Sequence, residues 1–366
     1  MLVTKAELEA SMSSSEWLER SQILAKRGRL SQTIRRAEEK PWGSAQHLAD
    51  IWRWVMWLTM VRGYRSGTTV TRYLEAISPF GAWVSDRELD YQDVELVELD
   101  GFMRHLYAVV KLSATSRCLA VTSLKSFYRW RSSRYGGRAC ANDLRMPKVP
   151  KRMPKAYTAE QLKRLFESAR SQTRTPDRIR DEALLLLLYS SGLRREEVCN
   201  LRLKDLTIDS VRIATIRVQG KGSKERIITI EGPVVMALAR WLQHRRDDLR
   251  LQASEYLFCA LRTPYGQLVP KALETRVKIL AKRAGLREWG VHRFRVTFAT
   301  QLYDDGVDLE RIRIALGHSK IETTRGYLAI SNRQRTVRLA PHRQHSVLGT
   351  SPIDMPIWAK KLETSA

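Results

Sequence analysis

The sequence predicts a mainly α-helical chain with one small β-sheet, an α+β fold in two domains, and three stretches carry that prediction. From Ser44 to about Tyr135, apolar residues recur at helical spacing, with Trp52, Trp54, Trp57, Trp83 and Trp130 among them. Between Val211 and Ile230 the pattern switches to the β-branched runs VRIATIRV and RIITI, bridged by QGKGSKE, whose two glycines suit a hairpin with a basic tip. From Val291 to Ile330, short helical patterns follow one another with their own start and stop signals.

Composition bounds the function. The 366 residues are 43% hydrophobic, enough for real cores, and 64 Lys plus Arg against 39 Asp plus Glu give a formal charge of +25. That balance favours a polyanionic partner, nucleic acid first. No apolar run approaches the ~20 residues that span a bilayer, so no membrane partner is expected. The longest run, Ala183 to Leu188, reads as buried helix. The N-terminus lacks the apolar core of a signal peptide, and Cys118, Cys140, Cys199 and Cys259 have neither metal-like nor paired spacing. A reducing cytoplasm, beside the nucleoid, is the expected location.

In chain order, residues 1–43 read as a polar, mostly helical extension. Residues 44–145 form an all-helical domain, with breaks expected at Arg62 to Gly67 and around Pro79; its last helix starts at a Ser/Thr cluster and buries Leu124 and Phe127. Lys125 and Arg129 on that helix are candidate DNA contacts. From Ser113 to Lys155 there are eleven Lys or Arg and one acid, Asp143, and prolines deny the later part regular structure. Residues 146–156 are therefore a basic linker, in which Lys148, Lys151, Arg152 and Lys155 either cross a DNA backbone or form a plain solvated loop.

The second domain spans residues 157–345. Thr175 and Pro176 open a helix that ends at Gly192, and Arg194 and Glu197 follow at ion-pair spacing. After the hairpin a helix is expected from Pro233 to about Leu251, SEYLFCA as a short strand, and Pro270 to Ala284 as helix. Gly220 and Lys221 do not make a nucleotide-binding P-loop, because Gly222 follows the lysine and Thr215 stands where the earlier glycine belongs.

His292 and Arg295 stand three apart on a helix whose apolar stripe is Phe294, Phe298 and Leu302 and which stops near Gly306. Asp308 caps a second helix with Leu309, Ile312 and Leu316 inward, Gly317 ends it, and His318 follows. Ser319 and Glu322 have capping-box spacing for a third, in which Ile321, Thr324 and Leu328 point inward and Tyr327 lies roughly 120° away at ~100° per residue. Beyond lies a tail, residues 346–366, whose Val347, Leu348, Ile353, Ile357 and Trp358 suggest docking.

The words His292-x-x-Arg295, Leu316-Gly317-His318 and Tyr327 nine residues on, with GLRREE from Gly192 and GKGSKER from Gly220, resemble the tyrosine recombinase or phage integrase family. The resemblance covers roughly residues 44–335. It implies a core-binding, DNA-clasping domain at 44–145, a catalytic domain at 157–345, and catalytic roles for Arg194, Lys221, His292, Arg295, His318 and the nucleophile Tyr327, with Glu197 in support. Lys224 and Arg226 read as phosphate contacts or exposed turn charges. The implied reaction is site-specific cutting and rejoining of DNA through a 3′-phosphotyrosyl link, for integration, excision or resolution, with no metal, ATP or other cofactor.

The chemistry suits those residue types. Two guanidiniums, Arg194 and Arg295, can hold the nonbridging oxygens that gain charge as the phosphodiester is attacked. A tyrosine of pKa near ~10 must lose its proton to a base, His292 being preferred, or through the phosphate. His318 would bond a phosphate oxygen and Lys221 would protonate the departing 5′ oxygen. Implied partners are duplex recognition sites, a homo-tetramer on two paired duplexes with the tail docking in trans, and accessory DNA-bending or directionality proteins. The rival readings are a type IB topoisomerase and a catalytically idle DNA-binding protein of the same fold.

Overall fold

The aromatic residues of the first third of the chain become the centre of a helical unit. The computed structural model describes residues 2–25, 28–62, 67–150, 155–220, 225–263, 265–318 and 320–328, and it divides into Met1–Lys151 and Arg152–Ala366. The first unit holds α1 (Lys5–Ala10), α2 (Ser14–Ala25), α3 (Arg29–Glu38), α4 (Ala45–Met56), α5 (Gly67–Ser85), α6 (Leu96–Ala108) and α7 (Ala114–Tyr135). Its core gathers Trp42, Trp54, Phe80, Phe102, Leu124 and Phe127. Leu8, Ile34 and Ala37 belong to the same core, and Arg53 of α4 bonds both Glu16 and the Ser11 carbonyl, so helices of residues 1–43 pack into the body that follows them.

One local expectation fails here for a physical reason. Helix α5 runs through Pro79, because Ile77, Phe80 and Val84 on its buried face outweigh the one backbone bond that proline cannot make.

His47 is fully buried in this unit, stacked on Tyr91 at 4.1 Å and edge-on to Trp42 at 5.1 Å, and neither ring nitrogen has a hydrogen-bond partner among the described residues. Burial, then the charge of Arg131, pushes its pKa down to about 3. In the unfolded chain the ring takes a proton near its ordinary ~6.5, whereas the native ring does not, so stability is lost as pH falls from about 6.5 toward 3, by up to about 1.4 kcal/mol per pH unit. Urea unfolding between pH 7 and 4 should show that slope in the wild type. His47→Phe, which keeps an aromatic ring without a proton site, should flatten it.

The second unit holds α8 (Ala159–Arg170), α9 (Thr175–Ser191), α10 (Arg195–Asn200), α11 (Pro233–Asp247), α12 (Leu249–Gln252), α13 (Pro270–Arg283), α14 (Val291–Asp304), α15 (Leu309–Leu316) and α16 (Ile321–Leu328). Its antiparallel sheet has the order β1 (Leu206–Ile208), β2 (Ile213–Gln219), β3 (Glu225–Glu231), with Ala214 opposite Ile230. Helix α9, apolar on all sides from Ala183 to Leu188, is the buried axis. SEYLFCA is not a strand; it makes only the isolated bridges Arg202 to Tyr256 and Cys259 to Gln267. The helix after Pro233 breaks at Asp248, whose side chain caps α12. Asp308 caps α15 through the N–H groups of Glu310 and Arg311, and Gly317 closes it at φ 63°. Among the described residues no helix is long and apolar enough to cross a membrane.

Candidate active site

Two helix C-termini and one helix N-terminus meet at a corner of the second unit. Gly192 ends α9 with φ 58°, and a Cβ there would lie 2.5 Å from Phe298 Cδ1, so glycine is required both for the turn and for the approach of α14. Gly317 ends α15 in the same left-handed conformation. Arg295, only 1% exposed, staples the two ends: Nη1 donates to the Gly192 carbonyl at 2.8 Å and Nη2 to the Leu316 carbonyl at 2.6 Å. A cation at the negative ends of two helices is favourably placed.

Arg194 is the N-cap of α10. Its Nη2 donates to the Gly317 carbonyl at 2.9 Å, its Nη1 to Glu197 Oε1 at 2.8 Å, and its own backbone N–H to Glu197 Oε2 at 2.8 Å. Arg195 points elsewhere, to Glu196 and Glu274. Glu197 is buried and shared: Arg226 of β3 donates Nη1 to its Oε1 at 3.0 Å and Nη2 to its Oε2 at 2.8 Å. Burial works to raise the Glu197 pKa, but the bonds from Arg226 and Arg194 outweigh it and hold the carboxyl below its usual value.

His318 is buried beside this cluster, its Nδ1 2.9 Å from Thr324 Oγ1 of α16, and its carbonyl accepts from Arg313 at 2.5 Å. Burial, followed by the charges of Arg295 and Arg194, pushes its pKa down to about 3. His292, at the start of α14, is open to solvent, yet partial desolvation and then Arg295 and Arg194 hold its pKa below the ordinary value. Both imidazoles are therefore neutral at pH 7, one able to accept a proton and the other held among cations. An incoming anion would reverse that field.

The sequence-predicted set is thus partly gathered: Arg194, Glu197, His292, Arg295 and His318 share the corner. Tyr327 falls in α16, which packs against α14 and α15, and its side chain lies outside the described residues, as do Lys221, Lys224, Lys151 and Arg152 and the tail 346–366. Arg226 corrects the expectation of an exposed turn charge. Its side chain is only 15% exposed and is engaged by Glu197, because on β3 it shares the inward face of Ile228 and Ile230. That period-two alternation was the signal that could have found it. Of the remaining basic candidates, Lys148 is exposed, Lys155 pairs with Glu288 at 2.7 Å, and Lys125 and Arg129 bond Asn142 while lining a groove of about 600 Å³ with Trp57, Arg62 and Trp130.

Guanidiniums, imidazoles and one carboxylate around a single corner define a class of site able to hold and react with a phosphodiester-like anion. The phage integrase family model matches residues 155–334. Tyrosine recombinase XerA of Pyrococcus furiosus is 35% identical over 214 residues, 58% of this chain and 69% of that protein. Tyrosine recombinase XerC of Xanthomonas axonopodis pv. citri is 32% identical over 276 residues, 72% of this chain and 86% of that one. The fold is shared with the XerH site-specific recombinase bound to a palindromic difH substrate, at TM-score 0.65 and 19% identity over 91% of this chain and 89% of that one. It is also shared with a lambda integrase dimer bound to a COC′ core site, at TM-score 0.57 and 16% identity over 80% and 99%. The chain belongs to the phage integrase, or tyrosine recombinase, family.

Proposed function

We infer that this chain is a site-specific recombinase that cleaves and rejoins duplex DNA through a 3′-phosphotyrosyl intermediate. Family membership carries the reading, and the convergence of Arg194, Arg295, His292 and His318 on one corner supports it. In this reading Tyr327 attacks the scissile phosphate while neutral His292 takes its proton. The two arginines and His318 hold the nonbridging oxygens, and Lys221 protonates the departing 5′ oxygen. The phosphotyrosyl bond conserves the energy of the broken phosphodiester, so rejoining to a second strand needs no nucleotide. Lys125, Arg129 and Lys148 are proposed backbone contacts. A lambda integrase tetramer has been seen on a Holliday junction, which supports a tetramer on two paired duplexes for this chain, serving integration, excision or resolution.

The test is direct. Recognition sites would be selected from a random duplex pool and placed in pairs on a supercoiled plasmid. Exchange of flanking DNA between sites is expected; relaxation without exchange would favour a topoisomerase, and binding without any covalent adduct an idle member of the fold. The role of Lys221 has its own readout. Replacing the leaving 5′ oxygen by sulfur removes the need for a proton, so it should rescue Lys221→Ala far more than Arg194→Ala. Equal rescue would strip Lys221 of that role.

A further inference from the structure

We propose that Arg226 is a positioning residue of the cleavage site, gripping both oxygens of Glu197 so that this carboxylate in turn fixes Arg194 toward the substrate. The inference rests on the recombinase reading above. Three observations carry it. Arg226 makes a two-pronged contact with Glu197, at 3.0 and 2.8 Å, the geometry in which a guanidinium fixes a carboxylate in both plane and direction. Glu197 in turn bonds both the backbone N–H and the guanidinium of Arg194, leaving the latter's Nη2 on the Gly317 carbonyl. The guanidinium of Arg226 also lies against Gly317, where an added Cβ would come within 3.1 Å of its Nη1. One strand residue therefore reaches α10 and the end of α15 together, and the carboxylate between two arginines has its place decided by both.

The chemical consequence is a division of labour. Arg194 is the more exposed of the two, 35% against 15%, and is the one presented to a DNA phosphate. A lone carboxylate could pull it away from that task. With Arg226 satisfying the same two oxygens, Glu197 stays ionised and in place while Arg194 is oriented by a single side-chain oxygen and keeps donors for substrate. Without Arg226, burial would raise the Glu197 carboxyl toward neutrality, and each protonation would release Arg194.

Single-turnover cleavage of a nicked duplex bearing the selected site would be measured for wild type, Arg226→Ala, Arg226→Lys, Glu197→Gln and the Arg226→Ala/Glu197→Gln double variant. Dissociation constants at several salt concentrations, and thermal unfolding, would be recorded beside them. Arg226→Ala should slow cleavage about tenfold to a hundredfold, within the range of couplings between touching residues. Its affinity and salt slope should stay at wild-type values, and the acid limb of its pH profile should move to higher pH. Arg226→Lys, which keeps the charge without the fork, should recover part of the rate. In the Glu197→Gln background the Arg226→Ala change should add little. Additive losses, or a salt slope shallower by about 0.9 per lost phosphate contact, would overturn the proposal and make Arg226 a DNA contact. NMR titration of the Glu197 carboxyl serves as the readout independent of turnover: its pKa should rise in Arg226→Ala. An unchanged titration overturns the grip itself, even in a folded and active variant. A wild type that forms no covalent adduct would overturn the recombinase reading instead, with the titration still deciding whether Arg226 holds Glu197.

Discussion

Tyr327→Phe is expected to bind the selected duplex as wild type does and to form no covalent adduct, a loss of at least about 10⁴-fold when a nucleophile is deleted from an intact site. The substitution removes one oxygen and keeps the ring, so packing of α16 on α14 and α15 should survive and circular dichroism should be unchanged. Two other tyrosines of the second unit are poorly placed to substitute. Tyr189 is buried and its hydroxyl bonds Gln301 Nε2 at 2.7 Å; Tyr157 is buried with its hydroxyl between the Gly290 N–H and carbonyl. Protease digestion of the DNA-linked product and peptide mapping decides the matter, and an adduct on Tyr303 or Tyr189 would reassign the nucleophile. The same assay carries a pH expectation. In the DNA-free chain His292 is held below its ordinary value by desolvation and by Arg295 and Arg194, so the acid-side fall in kcat/KM, which reports the free enzyme, should lie at lower pH than an ordinary histidine would give.

Much of this corner was legible in the sequence because it is built from local signals. The Asp308 cap, the Gly317 stop and the three-residue spacing of His292 and Arg295 are set within a turn or two of helix, and each appears where the spacing put it. What was not legible depends on chain-distant partners. That Arg295 would be buried under two carbonyls, 103 and 21 residues away, cannot follow from a charge at the polar edge of a helical stripe. The charged neighbours of Arg226 at the hairpin tip suggest an exposed residue, whereas the alternation of its own strand turns it to the face of Ile228 and Ile230. Likewise α5 passes through Pro79 and the first helices join the core of the unit, both cases in which tertiary burial overrides a local or compositional signal. The helical spacing puts Thr324 inward, but only the fold shows that its hydroxyl is the partner of His318 Nδ1.

Arg194→Ala and Arg295→Ala should both cripple cleavage and yet differ sharply in stability. Each removes a guanidinium from a site where charge develops on phosphate oxygens, and loss of one such stabiliser typically slows a reaction by about 10²–10³-fold. Arg194 is one-third exposed, and its removal leaves Glu197 still gripped by Arg226, so the stability cost should stay within about 1 kcal/mol. Arg295 is different. Its loss leaves the Gly192 and Leu316 carbonyls, at the ends of α9 and α15, without the donor that stapled them, and opens a void where its buried side chain stood. At roughly 1–3 kcal/mol for each buried acceptor left unpaired, the total is on the order of 2–6 kcal/mol. With about 2–4 °C per kcal/mol for a unit of this size, Tm should drop by roughly 10 °C. Arg295→Lys should fall between, since one ammonium cannot span two carbonyls in the fixed fork that guanidinium provides. Thermal unfolding and single-turnover cleavage, the latter run well below the lowest Tm, separate the two effects. An Arg295→Ala protein that is inactive with a wild-type Tm would show that the carbonyl staple does not hold this corner together, and that Arg295 matters only to the phosphate.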